Sequence, residues 1–291
     1  MNSISPKHSE KVFSEFYSLV SERHLPIDMI SSSIVLSQGA LWKHRMIRDN
    51  ATIHHARDDS YPIPAGTPAI VEWSMLDHLL DLHGALLEVG KDELRDLPPI
   101  DSVDDLAQRI TATFRRTLPA LRIASKWLRA NFKYVVQDQE FLSFQQTENG
   151  KSSESNRKSS NKISGHSTKT LQFWKIYAQF SLALSLAFPA DKLPSLSAPL
   201  EEDIEMRGFS PLRSLMGESN KSSEKLSDDG VGEQVHPNVE QLMRIADLLD
   251  DAKALVAMEV CLIYFCGLAR LTSHKPGFTS VTRQQPYRIQ P

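Results

Sequence analysis

Cysteine is nearly absent from this chain: two among 291 residues, Cys261 and Cys266. They lie inside one apolar run at a spacing that, on a helix, would point them about 140° apart, which suits neither a disulfide framework nor a zinc knuckle. They read as reduced, buried thiols of a nuclear or cytoplasmic protein, because free cysteine packs as a small hydrophobe. Long hydrophobic runs are missing as well. The longest uncharged stretches, Ile176–Ala190 and Val260–Ala269, fall short of the about 20 apolar residues that cross a bilayer, and the first carries Gln179, Ser181 and Ser185. The N-terminus, Met1 to His8, lacks the apolar core of a secretion signal. An excess of one charge sign is lacking too: the formal net charge of -3 excludes a globally basic nucleic-acid binder, so any attraction for phosphate must come from local segregation. No phosphate loop, dinucleotide glycine fingerprint or nucleophile elbow occurs, and Gly230 and Gly232 sit in a polar stretch. With no sign of catalytic machinery, the chain is expected to be a non-enzyme that needs no cofactor and no metal.

What is present is helical periodicity. Hydrophobic residues make up 41% of the chain, enough for a sizeable core. Ile70, Trp73, Leu76, Leu79, Leu80, Leu86 and Leu87 predict an amphipathic helix that stops near Gly90, a residue that tolerates the backbone of a helix end. Ser102 and Asp105 resemble a capping box, and Leu106, Ile110 and Phe114 follow on one face. Pro119 should break or kink that pattern and sit in the first turn of the next helix, which runs to about Val136. Leu171–Phe188 is apolar nearly all round and predicts a central, enclosed helix. After His236-Pro237, Leu242, Ile245, Leu249, Ala252 and Val256 mark a long helix that could continue to Arg270. Weaker helices fit Lys11–Arg23 and Ser31–Arg48, and no alternating strand pattern is convincing. The fold class is therefore all-α, a TPR-like or α-solenoid array of stacked antiparallel helical hairpins. Residues 147–168 and 217–235 are polar and low in apolar content, so they read as disordered surface loops within one domain spanning 11–270, with 1–10 and 271–291 as disordered ends.

The clearest functional feature is charge segregation. Between Asp105 and Asp138 there is no acidic residue, while Arg109, Arg115, Arg116, Arg122, Lys126, Arg129 and Lys133 all fall in that window. On a helix Arg122, Lys126, Arg129 and Lys133 lie within roughly 60° of one another, and Leu121, Ala124, Trp127, Leu128, Phe132 and Val135 lie elsewhere. Two readings follow. A regular stripe of Arg and Lys can neutralise phosphates, which makes Arg115, Arg116, Arg122, Lys126, Arg129 and Lys133 candidate nucleic-acid-binding residues. The same stripe can equally be a solvated face, or pair with acids of a neighbouring helix such as Asp77, Asp81 and Glu88.

Other ligand-type residues carry less. Adjacent His54 and His55 do not ordinarily converge on one ion, and His78 and His83 point different ways on a helix, as surface or packing histidines. Glu201–Leu212 reads as a structural corner: acids suit a short helix's N-terminus, Gly208 can end it, and Phe209 and Leu212 plug the core.

Four blocks resemble the Est/SMG family, the telomerase-associated Est factors and the SMG factors of nonsense-mediated mRNA decay, and most closely its fungal members. They are Gly39-Ala40-Leu41-Trp42-Lys43-His44-Arg45-Met46, the stretch Thr117–Asn131, Glu201–Leu212, and His236-Pro237-Asn238, in the family's order. The resemblance implies a helical-hairpin Est DNA/RNA-binding domain acting as a scaffold in an mRNA-surveillance or telomere-maintenance complex, in the nucleus, the cytoplasm or both. The implied partners are RNA or single-stranded telomeric DNA and other decay or telomerase proteins, with no membrane and no small-molecule substrate. An N-terminal 14-3-3-like module and a C-terminal PIN nuclease, both known in the family, are not evident, so neither phosphopeptide binding nor nuclease activity is carried over. A purely protein-binding scaffold is the alternative.

Overall fold

The computed structural model describes residues 6–55, 67–98, 105–135, 165–212 and 235–258. Its α-helices are α1 (Pro6–Ser21), α2 (Ile27–His55), α3 (Thr67–Glu93), α4 (Ala112–Ala130), α5 (Gly165–Ala187), α6 (Glu201–Glu205) and α7 (Pro237–Ala257), with short 3-10 turns at Leu106–Arg109, Ala190–Lys192 and Met206–Gly208. No strand occurs among the described residues.

Cross-contacts fix the direction of each long helix. Leu25, just before α2, accepts from Arg116, Gln38 donates to the Ile123 carbonyl and Arg45 donates to Asn131, so α2 and α4 run parallel. Arg115 meets Asn238 and Arg129 meets Asp251, so α4 and α7 are parallel too. In the same way Phe13 approaches Gly84 and Tyr17 donates to Asp92, while Phe173 approaches Gly84 and Lys91 meets Gln179. Thus α1, α3 and α5 form one parallel layer, and α2, α4 and α7 form the other. The layers are opposed: Thr111, at the start of α4, donates to Glu93 at the end of α3, and Tyr134 beyond the end of α4 donates to Glu72 near the start of α3. Consecutive long helices are antiparallel, which is the stacked hairpin array read from periodicity.

Several local expectations are corrected. Among the described residues the enclosed helices are α3, which packs on α1, α2, α4 and α5, and α4, which packs on α1, α2, α3 and α7. At the end of its layer α5 leaves Leu171, Leu182 and Leu186 exposed, and an apolar all-round pattern does not distinguish these two environments. Helix α3 does not stop at Gly90. A Cβ there would lie 2.6 Å from Phe180 and 3.2 Å from Phe114, so this glycine serves close helix approach rather than termination. Asp105 does not open a long helix: it accepts from the Ala107 amide and starts one 3-10 turn, after which Thr111 caps α4 by accepting from Phe114, and Ser102, its expected capping partner, lies outside the described residues. Nor does Pro119 break α4. Leu118, Ala120 and Leu121 around it are fully buried, and burial at about 1.5–3 kcal/mol per large apolar side chain offsets a proline cost of about 3 kcal/mol.

Boundaries also move. Helix α1 opens at Pro6, inside the stretch read as disordered, and α5 opens at Gly165, inside the first polar loop. Between α1 and α2, Arg23 takes a left-handed φ of 62°. The rest of the two loops, the C-terminal tail, Cys261 and Cys266 and the continuation toward Arg270 lie outside the described residues, as do the His54 and His55 side chains.

Candidate nucleic-acid interface

Helix α4 does carry Arg122, Lys126 and Arg129 on one stripe, with Lys133 beyond its end after the turn at Asn131, but most of that stripe faces protein. Arg122 is 1% exposed and Lys126 6% exposed. Parallel α7 lays Asp247 and Asp251, one turn apart, along it: Arg122 Nε reaches Asp247 at 2.5 Å, Lys126 Nζ reaches Asp247 at 2.6 Å and Asp251 at 3.0 Å, and Arg129 Nη1 reaches Asp251 at 3.1 Å. The α6 corner closes the other side. Arg122 Nη1 lies 2.7 Å from Asp203 and 3.3 Å from Glu202, and Glu202 takes a two-pronged hydrogen bond from Arg244 of α7 at 2.9 and 2.8 Å. Asp203 also accepts from the Leu200 amide, so one carboxylate both starts α6 and pairs with α4.

Burial opposes the charge on these groups, and pairing decides the balance. Arg122 is desolvated, yet Asp247, Asp203 and Glu202 hold its pKa above the ordinary value. Burial would raise Glu202 and Asp247, but Arg244 and Arg122 bring the first below its usual range, as Arg122 and Lys126 do the second. At Asp251 burial prevails and, with the neighbouring Asp247 charge, raises the pKa despite Lys126 and Arg129. Its Oδ2 has no hydrogen-bond partner.

The candidate residues therefore separate. Arg122 and Lys126 do not form the solvated face that the projection implied, because carboxylates from α6 and α7 enclose them. The acids suggested for pairing, Asp77, Asp81 and Glu88, sit on α3 in the opposite layer; Asp81 pairs with Lys169 and Glu88 with Lys91. Arg115 and Arg116 are half-buried and donate to Asn238 and the Leu25 carbonyl. Only the C-terminal end of the stripe opens to solvent: the Arg129 side chain is 35% exposed and Lys133 is exposed.

Beside that end, α2 contributes residues that the charge reading missed. The Arg45 guanidinium lies 3.7 Å over the Tyr134 ring and donates to Asn131, with Glu72 4.0 Å from its Nε. Trp42, 37% exposed, is one helical turn beyond Gln38 and Gly39, which face Ile123 and Phe209. The sequence signal for this cluster was the run Trp42-Lys43-His44-Arg45, and for the buried network the i, i+4 pair Asp247 and Asp251 on an otherwise apolar helix face.

The corner behaves as its residues foretold, with Leu212 fully buried and Phe209 packed on the core against Gly39. His83 is a packing histidine, its ring 5.2 Å from Phe173, and burial pushes its pKa down to about 3. Among the described residues no three metal-ligating side chains are grouped, and no helix is long and apolar enough to cross a membrane.

Residues 74–215, from α3 to the corner after α6, match the family model of the Est1 DNA/RNA binding domain. The chain belongs to the Est/SMG family. No curated protein and no solved structure matches it. The match includes Arg122, Lys126, Arg129, Glu202 and Asp203 but ends before α7, so Arg244, Asp247 and Asp251 of the charge network lie outside the segment that identifies the family.

Proposed function

We propose that this Est/SMG member is a non-catalytic helical module of an mRNA-surveillance or telomere-maintenance assembly, and that it grips RNA or single-stranded DNA at the open end of α4. Arg129 and Lys133 contact phosphates, and Arg45 on Tyr134 flanks them. The observation that carries the reading is the Est1 DNA/RNA binding domain match together with the emergence of the stripe into solvent at Arg129 and Lys133. Arg115 and Arg116 keep free guanidinium donors and extend the contact along α4. Arg122 and Lys126 act indirectly, by fixing α7 and the corner against the helix that presents the other two.

Anisotropy titrations of the full chain with mixed-sequence RNA and DNA single strands over a salt series test this. Lys133→Glu combined with Arg129→Gln should weaken binding at low salt and lower the salt slope by about one or two, at roughly one per lost phosphate contact. Unchanged affinity and slope would discard the surface. The alternative, a protein-binding scaffold without direct nucleic-acid contact, is favoured by internal neutralisation of the stripe and by Met29, Leu36 and Ile47, which stand 50%, 72% and 60% exposed on the outward side of α2. Affinity purification separates the settings: decay helicase and phosphatase components support surveillance, and telomerase RNA supports chromosome ends.

A further inference from the structure

The α6 corner covers only the first part of the groove between α2 and α4. Gly39 of α2 meets the Phe209 ring and Arg122 of α4 meets Asp203, so the corner lies on the outward side of both helices. Past it the two helices run on together. Gln38 donates to the Ile123 carbonyl and Arg45 to Asn131, which sets Trp42 level with the last turn of α4. On α2 Trp42 projects about 40° from Gln38, which faces α4, and about 60° from Gly39, which faces the corner. Met46 follows one turn on, about 20° from Gly39. Trp42 is 37% exposed and Met46 44% exposed, so an aromatic and apolar wall continues where the corner stops.

The opposite wall is cationic. Ala130 is exposed and projects about 160° from Phe114, whose ring packs inward on Phe180 of α5. Its single methyl leaves the floor of the groove low. Arg129, on the α7 side, and Lys133, just beyond the helix end, are the cations that reach solvent here. One interhelical spacing, about 8–10 Å, separates them from the α2 wall. A nucleotide carries one group for each wall: a flat base that gains by stacking on an aromatic face, and a phosphate. In a duplex the base faces are already stacked on their neighbours, whereas Arg129 and Lys133 attract the backbone of any strand.

We propose, on the nucleic-acid reading above, that Trp42 selects unpaired strands: a base stacks on its indole over Ala130 while the adjoining phosphates meet Arg129 and Lys133. The test titrates the full chain with a mixed-sequence single strand, a strand of equal charge carrying a run of abasic sites, and a blunt duplex. Of the four tryptophans, Trp127 and Trp174 are buried and Trp73 is half-buried, so quenching of intrinsic fluorescence reports chiefly on Trp42. The base-bearing strand should quench it and bind roughly tenfold or more tighter than the abasic one, and the duplex should not quench. Trp42→Ala should lose that margin and the quenching with the salt slope unchanged, and Trp42→Phe should keep most of the margin. The two strands are first compared on the unaltered chain, where no variant has to fold. Equal affinity for them at an intact salt slope overturns stacking and leaves the phosphate contacts standing. A folded Trp42→Ala chain that keeps the margin does the same, as a Trp42 kept for an apolar protein partner would give. Binding to none of the three overturns the phosphate contacts as well.

Discussion

Arg122, midway along α4, and Lys133, just beyond its C-terminal end, belong to one run of regularly spaced cations in the sequence, and they occupy opposite environments. Around Arg122 three cations, Arg122, Lys126 and Arg244, and four carboxylates, Glu202, Asp203, Asp247 and Asp251, are packed together from α4, α6 and α7, each side chain 11% exposed or less. At Lys133 the same stripe has run past the last acid of α7 and stands in solvent. Charge spacing in the sequence continues through both regions, so what separates them is the end of α4 at Ala130 and which distant element lies opposite. A buried guanidinium among carboxylates holds helices in register, whereas an exposed ammonium remains available to a phosphate.

Replacing Arg122 is the strongest way to break this contrast. Arg122→Met should destabilise the chain by about 3–5 kcal/mol, because it leaves Glu202, Asp203 and Asp247 short of a buried partner, while Lys133→Met should stay within about 0.5 kcal/mol. Chemical denaturation of both variants checks it, and equal costs would show that the network does not hold the layers. Gly90→Ala should come next, at about 1–3 kcal/mol, since the added methyl meets Phe180 at 2.6 Å, whereas Gly208→Ala, with nothing within 4 Å, should be near neutral.

Acid should sharpen the difference further. The folded pKa of His83 is depressed to about 3 from 6.5, so the unfolded chain binds the extra proton between those values; stability is full above pH 6.5 and falls toward pH 3, by up to about 1.4 kcal/mol per unit. Glu202 and Asp247, with lowered folded pKa values, add a loss that begins as the pH drops through the ordinary carboxylate range. His83→Phe should flatten the melting temperature between pH 7 and 5 and leave the loss below pH 4; an unaltered profile from 7 to 5 would remove His83 from the account. A smaller change, and a stabilising one, is expected at Arg23, whose left-handed backbone Arg23→Gly should relax by up to about 1 kcal/mol, read as a slight rise in melting temperature.

Residues whose meaning is local were legible before the fold was known. Gly208, Phe209 and Leu212 formed the expected corner because a short helix, its stop and its plug follow within one stretch of chain. The stripe was legible as geometry but not as environment: Glu202 and Asp247 lie 80 and 125 residues from Arg122, and no helical projection includes them. Gly90 and Pro119 misled for a related reason. Both residues ordinarily end helices, but α3 continues because Phe180 needs the vacant Cβ space, and α4 continues because its flanking leucines and alanine are buried.

The same separation along the chain sets an order during synthesis. Asp247 and Asp251 emerge from the ribosome more than 120 residues after Lys126. At about 5–20 residues per second, α4 spends roughly 6–25 s with Arg122, Lys126 and Arg129 lacking their α7 partners, next to a particle made largely of RNA. Completion of α7 withdraws those charges, so the finished protein presents a much narrower cationic surface than its own nascent chain.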